Sequence, residues 1–349
     1  MDTISIIKKL SKTSQANCDE LLYLISNLKE SEEEFLYESA YEIRKKTYGN
    51  DVFVRGLIEF SNYCIQTCNY CGLRAGNKID RYRLSEDQII NQCIQGYKFG
   101  YRTFVLQSGE DPWYTKDKLI NIIKSVKSSC PDAALTLSIG ERALEEYQEF
   151  FEAGADRYLL RQEAADKKLY DSLHPGMSHE NRISCLEKIR QIGYQTGGGF
   201  MVGIKNQTNE HIVKDLLFLK KLNPHMVGIG PFLPAQNTPF ENEKPGTVRQ
   251  VLIVLALVRL LIPSVLLPLT TALVSLDPGI RKKALMAGAN VIMPNITPER
   301  GGYHYKLYDQ KKFVEGLDQK QMKKLSETME SIGFTLNMGR GDYISPSVP

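Results

Sequence analysis

From Val52 onward the chain alternates short β-branched and aromatic runs with longer amphipathic stretches, a pattern that predicts strands separated by helices. The runs Val52–Phe60, Thr103–Gln107, Ala134–Ile139, Arg157–Arg161, Gly199–Ile204, Met226–Ile229, Leu266–Thr271 and Asn290–Met293 read as eight strands. The helices between them have legible starts. Ser85 with Gln88 and Thr247 with Gln250 have capping-box spacing, and Ser178 and Asp277-Pro278 carry N-cap signals. Gly100, Gly154 and Gly288 each follow a helix, where a left-handed C-cap favours glycine. Eight such units predict an α/β fold, a complete (β/α)8 TIM barrel.

Residues 1–50 are patterned as helices alone. Asn17 or Asp19 caps a segment with Leu21, Leu22, Leu24 and Ile25 apolar, and Ser31 opens a Glu-rich helix. The expected division is an N-terminal helical extension over 1–50, the barrel over 51–315, and a C-terminal helix and tail over 316–349. The last helix is expected to run from Asp318 to Ile332 and stop at Gly333, with a mobile tail from Asn337. The longest apolar run, Val251 to Leu269, is broken by Arg259, Pro263, Ser264 and Pro268 within the roughly 20 residues that a membrane span requires. It predicts a buried helix followed by a strand.

A net charge of +3 with acids and bases interspersed leaves no footprint for nucleic acid. The N-terminus lacks a signal-peptide pattern, so a cytoplasmic location is expected, with no membrane partner. Seven cysteines, an odd number led by a closely spaced triplet, fit a reducing compartment. Cys18, Cys93, Cys130 and Cys185 are scattered and read as buried or free thiols. The five histidines lack metal-pair spacing and read as surface or structural.

The triplet is Cys64, Cys68 and Cys71, spaced CxxxCxxC. Three thiolates on one loop can hold three corners of a [4Fe-4S] cluster and leave one iron open. Structural zinc normally takes four ligands, and no nearby Cys or His completes such a set. An open iron can bind a cofactor directly. When that cofactor is S-adenosylmethionine, an electron from the cluster can split its carbon–sulfur bond. Tyr70, just before the third cysteine, would lie beside the adenine.

In a parallel barrel, chemistry gathers where strands end. There the sequence places Gln107, Ser108, Gly109 and Glu110 after the second strand, and Arg161 and Glu163 after the fourth. Thr136 and Ser138 share strand parity, as do Arg161 and Glu163, so each pair can face the interior. Arg161 and Glu163 either form an internal ion pair or serve as a donor to an anionic substrate and an acceptor for ribose hydroxyls. Thr270 and Thr271 add two hydroxyls.

The cysteine spacing resembles that of the radical S-adenosylmethionine enzymes. Within them, Arg55–Cys64, Tyr70–Arg74, Arg81–Arg83, Val105–Pro112, Gly154–Arg161, Asp215–Leu219, Met226–Phe232 and Asn290–Asn295 resemble the HydE family of FeFe-hydrogenase maturases. The resemblance implies a 5′-deoxyadenosyl radical acting on a small sulfur- and iron-containing precursor during assembly of the hydrogenase cofactor. It implies S-adenosylmethionine contacts at Tyr70, Ser108, Gly109, Glu110, Ser138, Glu163, Arg182 and Gly203. Gln107, Thr136, Arg161, Thr270 and Thr271 are the implied substrate contacts, with Arg161 and Met293 nearest the chemistry. A reductant protein such as ferredoxin or flavodoxin and other hydrogenase maturases are the implied partners. Two positions depart from relatives. No cysteine follows Cys185, so one cluster is expected, and Gln162 stands where some relatives have His. Biotin synthase and methylornithine synthase share the motif, which keeps a lysine mutase as an alternative. A non-catalytic carrier of an iron–sulfur species is another.

Overall fold

The run expected as one strand from Val52 to Phe60 is two strands, β1 (Asp51–Val54) and β2 (Gly56–Ser61), parted at Arg55. The computed structural model describes residues 2–298, 304–309, 311 and 316–345. β2 begins a six-stranded, all-parallel sheet that continues in chain order through β3 (Thr103–Ser108), β4 (Ala134–Ser138), β5 (Arg157–Leu159), β6 (Gln195–Val202) and β7 (Met226–Pro231). β1 instead pairs in parallel with β8 (Val291–Ile292) on one side and β9 (Thr335–Asn337) on the other.

Leu266–Thr271 is not a strand. It contributes single parallel bridges, Met226 to Leu266 and Pro268 to Val291. Pro268 has no N–H to extend a ladder, and Thr270 turns away to N-cap the helix Thr271–Leu276. Among the described residues the strands therefore form one sheet of six and one of three, not the expected complete barrel of eight. β6 starts four residues before the expected Gly199, because Gly197 and Gly198 pair with Met226 and Val227. Glycines carry no hydrophobic pattern, so their strand was silent in the sequence.

The capping boxes at Ser85/Gln88 and Thr247/Gln250 form as expected, and Ser178 caps the helix His179–Ile192. Asp277 does not start a helix. Its carboxylate accepts from Gly279 N at 2.8 Å in a turn, and the helix begins at Arg281. Gly100, Gly154 and Gly288 all have positive φ after their helices.

Three helices, Thr3–Thr13, Cys18–Asn27 and Glu30–Tyr48, precede the sheet. Asn17 and Glu20 form a capping box, and the third helix starts at Glu30, one residue before the expected Ser31. This third helix lies on the helix Val248–Leu261, whose residues Val251 to Leu261 are all buried. Each Leu, Ile or Val sealed there contributes roughly 1.5–3 kcal/mol. Two polar ties hold the third helix to the segments that follow Val248–Leu261 in the chain. Tyr48 Oη donates to the Ser264 carbonyl at 2.6 Å, and the fully buried Arg44 donates from Nε to the Ala289 carbonyl at 3.0 Å. No helix of the described residues is long and apolar enough to cross a membrane.

The tail expected to be mobile is ordered as far as residue 345; residues 346–349 lie outside the described residues. After β9, Asp342 accepts from Arg157 at 2.7 Å and from Gln195 Nε2 at 2.8 Å, and Arg340 pairs with Asp156 at 3.0 Å. Arg157 and Gln195 open β5 and β6, so the tail closes the N-terminal end of the sheet. The opposite end is left for chemistry.

Candidate active site

β2 ends at Ser61 and runs straight into the cysteine loop, which is stitched down by two arginines. Arg81 donates to the carbonyls of Asn62, Leu73, Arg74 and Asn77. Arg83 grips Asp111 with two hydrogen bonds of 2.7 and 2.9 Å, and Asp111 also accepts from Ser61 Oγ at 2.6 Å. The loop after β2 is thereby locked to the loop after β3. Gly109 sits at the seam, where an added Cβ would fall 2.3 Å from the Tyr63 carbonyl oxygen and 2.7 Å from Cys64 Cβ. Only glycine lets the cysteine loop seat.

Cys64, Cys68 and Cys71 are half-buried, free, and line one cavity of about 350 Å³. Burial first, and the charges of neighbouring thiols second, push the pKa of Cys71 up to about 12 and that of Cys68 higher; burial also raises Cys64. Ligation must therefore displace protons, which a Lewis-acidic iron does. Each thiolate of a [4Fe-4S] cluster binds a different iron, so the three need to line one wall rather than meet at a point. Among the described residues, no three His, Cys, Asp or Glu side chains gather around a single point. The donor set and its placement fit the cluster.

The same cavity is lined by Tyr70, Ser108, Ser138 and Arg182, and by Gln107, Met293 and both Thr270 and Thr271. Arg161 and Glu163 line it as an ion pair of 3.1 Å, Glu163 having a positive φ of 61°. Among the described residues Arg161 Nε has no hydrogen-bond partner, although it is buried. Glu110 also lines the wall, but its carboxylate is held between Gln66 Nε2 and Glu141 N, and its carbonyl accepts from Ile65 N at 3.0 Å. Arg182 donates to Glu141 and to the Arg161 carbonyl, the latter at 2.7 Å. Burial opposes its charge, but Tyr170 and Glu141 outweigh that and raise its pKa. Thr270 Oγ1 is engaged as a helix cap, and Thr271 Oγ1 accepts from Tyr308 Oη at 3.2 Å.

Two expected contacts lie elsewhere. Thr136 is buried, its hydroxyl without a partner among the described residues, but does not line the cavity. It precedes Ser138 by one inward-facing position, which puts it one layer deeper. Gly203 is also outside the wall. At φ +80° its added Cβ would fall 2.3 Å from Gly246 Cα, so close backbone packing explains the glycine. Gln162 is buried away from the cavity, accepting from Gly199 N at 2.7 Å and donating to Asp215 at 3.3 Å.

Sequence reasoning passed over four cavity residues on or beside the segment 304–311. Glu59, inward on β2, accepts from Asn295 Nδ2 at 2.7 Å and from Lys311 Nζ. Tyr305 Oη is 3.4 Å from Gln107 Nε2, and Tyr308 reaches Thr271. The available signal was Glu59, a carboxylate with the same strand parity as Leu57 and Ser61. His174, expected to be surface or structural, is buried in the cavity wall against Tyr70. Desolvation, then Arg182, lower its pKa to about 3, so it is neutral.

Residues 58–219 match the model of the Radical SAM superfamily. The chain is 48% identical over 276 residues, 79% of each chain, to the [FeFe] hydrogenase maturase subunit HydE of Thermotoga maritima. It is 32% identical to the 3-methylornithine synthase of Methanosarcina acetivorans over 82% of this chain and 81% of that one. A crystal structure of methylornithine synthase (PylB) superposes with a TM-score of 0.81 at 26% identity, covering 95% of this chain and 97% of that one. With the three thiols on one cavity wall, these likenesses make the chain a member of the radical SAM superfamily, in the family of the HydE maturase: an enzyme that uses a [4Fe-4S] cluster and S-adenosylmethionine.

Proposed function

We propose that this enzyme acts in FeFe-hydrogenase maturation, on a small sulfur- and iron-containing precursor held in the cavity beside S-adenosylmethionine. Cys64, Cys68 and Cys71 would hold the cluster. Together, cluster and S-adenosylmethionine supply a 5′-deoxyadenosyl radical when bound. The observation that carries the reading is that one cavity joins the three thiols to Arg161, Thr270 and Thr271, donors suited to an anionic ligand.

Arg161 has donor capacity to spare beyond Glu163, so it can orient a precursor by charge-assisted hydrogen bonds. Gln107 and Met293 line the same cavity, where Gln107 would bind alongside Arg161 and Met293 would give a soft, apolar wall. Thr136, one layer deeper, serves a ligand only if it penetrates that far. Tyr70, Ser138, Glu163 and Arg182 are assigned to S-adenosylmethionine, with Ser108, Gly109 and Glu110 shaping the wall around its methionine end. The bridges at Leu266 and Pro268 are read as the seventh stave of a closed eight-unit barrel spanning 51–315, flanked by the helical extension 1–50 and the C-terminal unit 316–349. A cytoplasmic setting, an electron donor of the ferredoxin or flavodoxin kind and other maturases as partners belong to the same reading.

The test is anaerobic activation of apo-hydrogenase by the other maturases, with and without the cluster-reconstituted protein. Hydrogen production that requires Cys64, Cys68 and Cys71 supports the reading. Intact S-adenosylmethionine cleavage without activation overturns it; conversion of lysine to methylornithine would then favour the second reading, which the likeness to methylornithine synthase supports.

A further inference from the structure

The cysteine loop rests on the end of one short helix. That helix, Lys167–Leu173, is N-capped by Asp166 and runs out at His174. Asn69 N donates to the Leu173 carbonyl at 2.9 Å, Asn69 Nδ2 to the Ser172 carbonyl at 2.8 Å, and Thr67 Oγ1 to the Pro175 carbonyl at 3.2 Å. All three anchors lie between Cys64 and Cys71 in the chain.

His174 completes the seat from inside. Its Nδ1 is 3.2 Å from the Tyr170 carbonyl oxygen, and its ring stacks on the Tyr170 ring at 4.3 Å. A carbonyl can only accept, so Nδ1 carries the hydrogen. The neutral ring then offers the Nε2 lone pair to Tyr70 Oη, 3.0 Å away. Tyr70 is half-buried and lies between Cys68 and Cys71 in the chain, and the two rings meet edge to face at 5.5 Å. Both side chains line the cavity.

We propose that His174 is a positioning residue for S-adenosylmethionine: it fixes the Tyr70 ring by accepting the phenol hydrogen, and with it the shape of the wall between the second and third cysteines. The aromatic face that the cofactor meets is then preset. A Tyr70 phenol without this acceptor must turn toward another partner, and the ring moves with it.

The test is a double-mutant cycle on anaerobically reconstituted protein, built from His174→Leu, Tyr70→Phe and the pair, with His174→Gln as the conservative variant. The readouts are S-adenosylmethionine affinity and the change in the electron paramagnetic resonance spectrum of the reduced cluster when the cofactor is added. His174→Leu is expected to weaken binding roughly five- to tenfold, the worth of one hydrogen bond, and to shrink the spectral change. His174→Gln, which keeps an acceptor, should recover most of both. In the Tyr70→Phe background, His174→Leu should add nothing. Additive losses, or unchanged affinity and spectrum in His174→Leu, overturn the proposal. If His174→Leu does not fold, Tyr70→Phe alone decides, since the same weakening is expected and unchanged binding overturns it. Iron content and S-adenosylmethionine cleavage by the unmodified protein report separately on cluster and cofactor use.

Discussion

The Lys311 ammonium donates to the Glu59 carboxylate inside the cavity wall, where the Glu59 side chain is 1% exposed and that of Lys311 9%. Burial pushes the Glu59 pKa up and the Lys311 pKa down; their pairing resists both shifts, and Asn295 resists that of Glu59. Removing one partner leaves the other charged and buried. Lys311→Met should destabilise the protein by about 3–5 kcal/mol, and adding Glu59→Gln should restore most of the loss. Urea denaturation of the two variants decides. An unchanged midpoint for Lys311→Met would show that the pair is not made.

Asp215 has a buried Oδ2 with no partner among the described residues, and burial raises its pKa to about 8. The folded state therefore holds a proton at neutral pH that the unfolded chain releases near pH 3.8. Its contribution is least unfavourable below pH 3.8 and worsens as pH rises through 8. Asp215→Asn, which cannot ionise, should gain melting temperature over the parent between pH 6 and 8 and lose that advantage near pH 4. An advantage independent of pH would contradict the assignment.

Asp342 shows the opposite sign. Burial would raise its carboxyl pKa, but Arg340, Arg157 and Gln195 hold it well below the usual range. Its stabilisation is fully present above pH 3.8 and fades as pH falls through the folded value. Asp342→Asn should cost about 1–2 kcal/mol at pH 7, discounted because the side chain is partly exposed. Hydrogen exchange should then rise at β9 and at the start of β5, and protection that stays unchanged would refute the tail's closing role.

Gly109→Ala tests the seam under the cysteine loop. The added methyl would meet the Tyr63 backbone and Cys64 Cβ, neither of which is the end of a flexible side chain. Reconstituted variant protein should hold several-fold less iron while its thermal unfolding shifts far less. Full iron content would show that the loop has room to move.

The sheet was legible where side chains carry the period. Ile58, Leu106 and Leu137 announce their strands, but the glycines of β6 are silent, and Pro268 hides that its stretch makes bridges rather than a strand. Tail order was illegible because Arg340 and Asp342 are held by partners distant in the chain, Asp156 and Arg157. At the site, the cysteines and strand-end residues could be read from local spacing. Lys311 and His174 could not, because each has meaning only through a residue more than a hundred positions away, Glu59 or Tyr70.

The most direct test is reductive cleavage of S-adenosylmethionine to 5′-deoxyadenosine by anaerobically reconstituted protein and by its Cys64→Ser, Cys68→Ser and Cys71→Ser variants. The parent should cleave the cofactor, and each variant should lose the activity together with the cluster's spectroscopic response to the cofactor. Cleavage undiminished in all three variants would contradict a cluster held by this loop.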